Sequence, residues 1–173
     1  MEKIGFGGGC HWCTEAVFQA LKGVKKVEQG WISSTGDHDA FSEAVIVHFH
    51  PATIDLTTLI AIHLHTHSCT SEHAMRKKYR SAVYPFSDEQ AATVGTIIKN
   101  LQADFQQPII TQCLPFVAFK ENEETFQNYY FKNPEKVFCT TYIDPKLKLL
   151  MDQFSKYLDY NKLSHLAVPE QKE

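Results

Sequence analysis

No apolar run in this chain reaches the roughly 20 consecutive residues that a bilayer-crossing helix needs, so no membrane span is expected. An apolar leader is lacking too. Met1-Glu2-Lys3-Ile4-Gly5 runs straight into a glycine cluster, and no secretory signal is expected from it. Charge of one sign is also missing. Lys and Arg total 17 against 20 Asp and Glu, and the net charge of -3 gives no footing for nucleic acid or an anionic membrane. The basic run Arg76-Lys77-Lys78 is short and reads as a solvated face. With no repeat, low-complexity block or linker, the 173 residues are expected to form a single domain, with its core at about 3–158 and a frayed tail after Leu163. The even, regular cysteine set of a secreted disulfide framework is absent as well. Cys10, Cys13, Cys69, Cys113 and Cys139 are five in number and irregularly spaced, which suits a reducing, cytoplasmic setting. There they serve as core residues, metal ligands or redox catalysts.

The pattern along the chain is α+β. Lys3 to Phe6 reads as a strand stopped by Gly7-Gly8-Gly9, and a helix follows from Cys10 to about Leu21, ended by Gly23. Val24 to Trp31 is extended, and Ala44 to Phe49, apolar on both faces, reads as an interior strand. Leu56 to His65 forms a helix capped by Asp55. Ser68 to Lys78 is irregular, Ser81 to Tyr84 is a short strand, and Ser87 opens a helix to Asp104. One or two strands surround Pro115, Glu123 to Phe131 is helical, and Pro145 to Leu158 makes a final helix.

Gly7-Gly8-Gly9-Cys10 puts a thiol where a strand turns sharply into a helix. Free backbone N–H groups and the helix dipole favour an anion at such a point. A thiol there is pulled below its ordinary pKa of about 8.5, and the thiolate is the nucleophile. Cys13 follows one turn later. That spacing lets a second thiol attack a mixed disulfide or sulfenic acid on the first. A lone cysteine after a glycine turn is more often plain core, and Cys-x-x-Cys is also half of a zinc site, but no second half follows at zinc-ribbon spacing.

The run Gly9-Cys10-His11-Trp12-Cys13-Thr14-Glu15 resembles the active-site signature of the A-type peptide methionine sulfoxide reductases. The likeness continues through Leu21-Lys22-Gly23-Val24, Ser42-Glu43-Ala44-Val45, Phe49-His50-Pro51 and Tyr79-Arg80-Ser81-Ala82-Val83-Tyr84. It closes with Phe126-Gln127-Asn128-Tyr129, Lys132-Asn133-Pro134, Phe138-Cys139 and Pro145-Lys146-Leu147. The resemblance implies a ferredoxin-like α/β sandwich, a mixed sheet flanked by helices. It implies reduction of free or protein-bound methionine S-sulfoxide without a cofactor, with thioredoxin or dithiothreitol as reductant. It implies Cys10 as nucleophile, Glu43 as acid, Tyr79 as phenolic donor and Trp12 as a wall for the substrate methyl group, while Glu15 is structural. Desolvation of Glu43 at the head of an apolar strand would favour its protonated form. The second thiol is Cys139 or Cys13. Cys139 is preferred because it matches the family's recycling cysteine and reads as part of a mobile stretch between two helices.

The sequence also departs from the family. His11 stands where the family has phenylalanine, which makes one wall of the methyl pocket polar. The loop between Trp31 and Glu43 is short and lacks a sulfoxide-binding tyrosine, Trp31 replaces another tyrosine, and Ala74 falls at an aspartate position. His63, His65, His67, Cys69 and His73 raise a metal alternative, although a helix end and loop would hold such histidines without one. Cys113 reads as a strand residue facing the core. Two rival functions remain: a Cys10–Cys13 thiol-disulfide oxidoreductase that has no need of Glu43, and a catalytically degenerate homologue with a binding role.

Overall fold

Alternation along the strands and three-to-four spacing along the helices give each element one apolar face that must be buried. The structure, a computed structural model, describes residues 1–166. Six strands meet that demand in one sheet: β1 (Glu2–Gly7), β2 (Val24–Ser33), β3 (Ser42–Phe49), β4 (Ala82–Tyr84), β5 (Gln112–Cys113) and β6 (Ala118–Glu121). Their spatial order is β5-β4-β1-β3-β2-β6. The β4–β5 pair is parallel and the others antiparallel, so the sheet is mixed. The helices are α1 (His11–Gln19), α2 (Leu56–Thr66), α3 (Asp88–Leu101), α4 (Tyr129–Lys132) and α5 (Asp144–Gln153).

The doubly apolar stretch expected to be interior is β3, beside β1 at the centre of the sheet. Val45, Val47 and Phe49 join the large core with the buried faces of the helices, while Ala44 and Ile46 belong to a small cluster with Ile32, Ala82 and Tyr84. Phe86, Leu114, Phe116 and Phe119 cover that second face. The caps read from sequence are present. Asp55 accepts from the Thr58 N–H at 2.8 Å, and Ser87 accepts from Gln90 N–H at 3.1 Å. Among the described residues no helix is long and apolar enough to cross a membrane. The tail expected to fray after Leu163 falls mostly on residues 167–173, outside the described residues.

Two elements differ from expectation. The helix expected over Glu123–Phe131 is split into a 3-10 turn at Glu124–Phe126 and α4, with Asn128 left-handed at φ 56° between them. Long-range bonds override the local propensity: the Glu15 carboxylate takes the N–H groups of Asn128 and Tyr129, and the Gln127 amide binds the backbone of Gln29. The final helix stops at Gln153 and is preceded by a π-helical turn, Cys139–Ile143. Pro145 offers no N–H to the carbonyl four residues back and its ring crowds that turn, so the helix widens there. Cys139, read from sequence as part of a mobile stretch, is fully buried at the start of the π turn.

Gly30 is where the β6 edge closes on β2. A Cβ at this position would stand 2.0 Å from the Lys120 carbonyl oxygen. Gly30→Ala is expected to destabilise the fold by about 1–3 kcal/mol through forced backbone displacement. Urea unfolding of the two proteins measures this, and an unchanged midpoint would mean that β6 yields freely.

Candidate active site

The turn that carries Cys10 is held from outside. Gly7 oxygen accepts from His63 Nε2 at 2.9 Å, and Gly8 oxygen accepts from Arg76 Nη1 at 2.9 Å. A side chain at Gly8 would collide with the His67 ring. Cys10 is the N-cap residue of α1, and its carbonyl takes the Cys13 and Thr14 N–H groups at 3.1 and 3.2 Å. Its sulfur receives the Cys13 thiol and the backbone N–H groups of Trp12 and Cys13. The Cys13 thiol contributes most to lowering the Cys10 pKa, against burial and the Glu43 charge, which raise it. The same bond, helped by burial, pushes the Cys13 thiol far up. Of the two thiols, Cys10 is thus the one whose ionised form is favoured, with Cys13 as its donor. Lys146, on α5, brings a largely buried ammonium whose charge favours both thiolates, and it donates to the Thr66 carbonyl.

Glu43, at the head of β3, is 6% exposed. Its Oε1 accepts the His11 backbone N–H at 3.2 Å and faces His11 Nε2 at 3.3 Å, and Lys78 Nζ lies 3.7 Å from Oε2. Ser42 stitches the Tyr79 segment to this strand: its hydroxyl donates to the Lys78 carbonyl at 2.9 Å and accepts from Arg80 N–H at 2.8 Å. Tyr79 is half-buried, with Lys78 Nζ 5.1 Å above its ring. The Lys78 pKa is raised chiefly by the Tyr79 hydroxyl, with smaller effects from Glu43 and Cys10. Lys78 thus stands beside both Glu43 and Tyr79, within the electrostatic reach of Cys10.

Arg76 was not singled out by its sequence, where nothing distinguishes it from Lys77. It is not part of a solvated face: its guanidinium donates to the carbonyls of Ser68, Ser71, Gly8 and Tyr79, clamping the loop before β4 onto the glycine turn. Trp12 stacks on Tyr129, with centroids 4.0 Å apart and planes at 9°. Phe126 lies beside it at 5.9 Å and Phe138 meets it edge-on at 5.4 Å. The aromatic spacing of Phe126, Tyr129 and Phe138 was the available signal for this box, but only the folded chain brings Trp12 among them. Glu15 is buried and spends its carboxylate on Gln29, Asn128 and Tyr129, a structural use.

His11 departs from expectation. It does not present a polar wall to a methyl pocket: it is 4% exposed, its Nδ1 meets the Gly30 carbonyl at 2.7 Å, and its ring packs against the edge of Trp31. The histidines considered for a metal are engaged elsewhere. His63 binds Gly7 oxygen, His67 binds the His63 carbonyl and Ser81, His65 meets Asp104, and His73 accepts from Met75 N–H. Among the described residues no three His, Cys, Asp or Glu side chains converge as a metal site. Cys113 lies half-buried in β5, its thiol directed at the Ala91 carbonyl at 3.7 Å.

The hydrogen bond from Cys13 makes a measurable difference to Cys10. Iodoacetamide should alkylate Cys10 below the pH at which a free thiol reacts. Cys13→Ala should move that profile upward by about one pH unit, as expected for losing one hydrogen bond to a charged group. Mass-resolved alkylation against pH reads both, and coincident profiles would remove Cys13 from this role.

A family model described as peptide methionine sulfoxide reductase matches residues 2–158. The peptide methionine sulfoxide reductase MsrA of Deinococcus radiodurans is 36% identical, the match covering 91% of this chain and 84% of that protein. Among solved structures, Mxr1 from Saccharomyces cerevisiae in reduced form is similar with a TM-score of 0.71 and 22% identity, covering 82% of this chain and 90% of that one. Mxr1 in complex with Trx2 is similar with a TM-score of 0.60 and 22% identity, covering 74% of this chain and 84% of that one. A model match over nearly the whole chain and a relative at this identity agree: this chain belongs to the peptide methionine sulfoxide reductase family.

Proposed function

We propose that this chain, acting as a single domain, reduces free or peptide-bound methionine S-sulfoxide to methionine. The observation that carries the reading is the Cys10 thiol at the start of α1, its pKa lowered by the Cys13 thiol and backbone N–H groups, next to His11, whose backbone N–H binds the buried Glu43 carboxyl. A sulfoxide sulfur becomes electrophilic when its oxygen is protonated, so the chemistry needs a thiolate and an acid together. Cys10 attacks, the S–O bond breaks, and oxygen passes to the Cys10 sulfur as a sulfenic acid. Glu43 gives one proton to that oxygen, and methionine leaves with the electron pair. Tyr79 steadies the oxygen from the other side. The aromatic box around Trp12 offers the methyl group an apolar seat.

A second thiol then condenses with the sulfenic acid, releasing water and forming a disulfide. The hydrogen bond between Cys13 and Cys10 supports Cys13 in that step. Cys139, buried behind it, then serves a later exchange. The preference for Cys139 as first partner rested on its match to the family's recycling cysteine and on mobility, and its buried place in the π turn weakens the second ground. Thioredoxin is the proposed reductant, by analogy with the Mxr1–Trx2 complex, and dithiothreitol substitutes for it in vitro. No step calls for a bound cofactor or metal, and five free thiols suit a cytoplasmic setting.

With a racemic sulfoxide peptide and dithiothreitol, the S epimer should disappear and the R epimer remain, as chromatography of the products will show. Equal loss of both epimers, or of neither, overturns the reading. Cys10→Ser should abolish turnover, because a hydroxyl is a poor nucleophile at neutral pH. Glu43→Gln should slow the reductase step by about 10²–10⁴-fold. An unchanged rate in that variant would favour the plain Cys10–Cys13 oxidoreductase. After one equivalent of sulfoxide without reductant, peptide mapping should find a Cys10–Cys13 bridge, whereas a dominant Cys10–Cys139 bridge gives Cys139 the first step.

A further inference from the structure

The His11 ring has two nitrogens and two fixed neighbours. Nδ1 lies 2.7 Å from the Gly30 carbonyl, which can only accept, so Nδ1 carries a hydrogen. In the neutral ring Nε2 is then a bare acceptor. It faces Glu43 Oε1 at 3.3 Å, and an ionised carboxylate is also acceptor-only. Two lone pairs cannot face each other across a buried contact without cost, so a proton belongs between them. Burial dominates the shift at His11 and disfavours its charged form. A neutral ring leaves the shared proton on the carboxyl.

We propose that His11 and Glu43 form a proton-holding pair, in which the imidazole is a positioning residue that keeps Glu43 in its acid form for delivery to the sulfoxide oxygen. The pair rests on the proposed reductase reading for its use, though not for its existence. Charged and titratable neighbours reach it from each packed element. Lys78 Nζ lies 3.7 Å from Glu43 Oε2, Cys10 precedes His11 at the head of α1, and Lys120 of β6 lies beyond Trp31, 5.7 Å from its ring. When the proton leaves for the sulfoxide oxygen, the pair is left with one negative charge, which the Lys78 ammonium offsets. The proton returns after reductant regenerates the Cys10 thiol, which ionises again.

Nitrogen-15 NMR of the imidazoles, with His11 assigned through its variants, tests the pair without turnover. The expected spectrum shows the Nδ1–H form with Nε2 accepting, unchanged between about pH 5 and 8. An Nε2–H form, or a titration near that of free imidazole, overturns the proposal. Single-turnover methionine formation against pH tests the role. His11→Phe should move the alkaline limb down by about one pH unit, with KM within about twofold, because the neutral carboxyl loses its acceptor. His11→Gln, whose amide oxygen can accept the same hydrogen, should restore that limb. An unchanged limb in His11→Phe, or a displaced one in both variants, assigns His11 to packing alone. If the wild-type chain forms no methionine at any pH, the reductase reading fails, while the NMR result still decides the pair.

Discussion

Two hydrogen bonds onto backbone carbonyls, from His63 to Gly7 and from Arg76 to Gly8, fix the point at which β1 hands over to α1. A turn of three glycines has little conformational preference of its own, and without these donors the start of α1 would be free to rotate or fray. Held in place, the turn aims the N–H groups of Trp12 and Cys13 at the Cys10 sulfur, and the N–H of His11 at Glu43. The first turn of α1 thus spends backbone donors that a helix cannot use internally on the Cys10 sulfur and the Glu43 carboxyl. His63 suits its post because it is buried and kept neutral, so it supplies a hydrogen bond without a charge beside the thiolate.

A thiolate and a carboxyl placed close together oppose each other's ionisation, and the surroundings settle which of them is charged. Cys10 has the N–H groups, the Cys13 thiol and the charge of Lys146 on its side. Glu43 has one N–H, an imidazole lone pair and an ammonium at 3.7 Å that stands in solvent. This division favours the negative charge on sulfur, where sulfoxide chemistry requires it. Cys13 belongs to the same division. Its proton is tied to Cys10, so it stays a thiol until the Cys10 sulfur is consumed.

What the sequence disclosed was mostly local. A glycine run before a cysteine, caps at Asp55 and Ser87, and a strand apolar on both faces each reflect preferences set within a few residues, and the structure contains all of them. What stayed hidden depends on distant partners. Arg76 acts on a carbonyl 68 residues away, and Glu15 reshapes a segment more than a hundred residues downstream. His11 looks like a pocket wall because its family counterpart is apolar. Its inward orientation is decided by a carbonyl on β2 and a carboxyl on β3, neither of which its neighbours in the chain reveal. Cys139 shows a similar limit: its place between two helices reads as a loose connection, whereas the structure buries it at the start of a π turn packed in the core.

The chain has two tryptophans, and both border this site. Trp12 lies flat on Tyr129 two residues from the Cys10 sulfur, while Trp31 meets the edge of His11. Ultraviolet emission from this protein therefore arises where its chemistry takes place, with no background from indoles elsewhere. The summed emission of the two indoles is thus a label-free signal from the surroundings of Cys10 and His11.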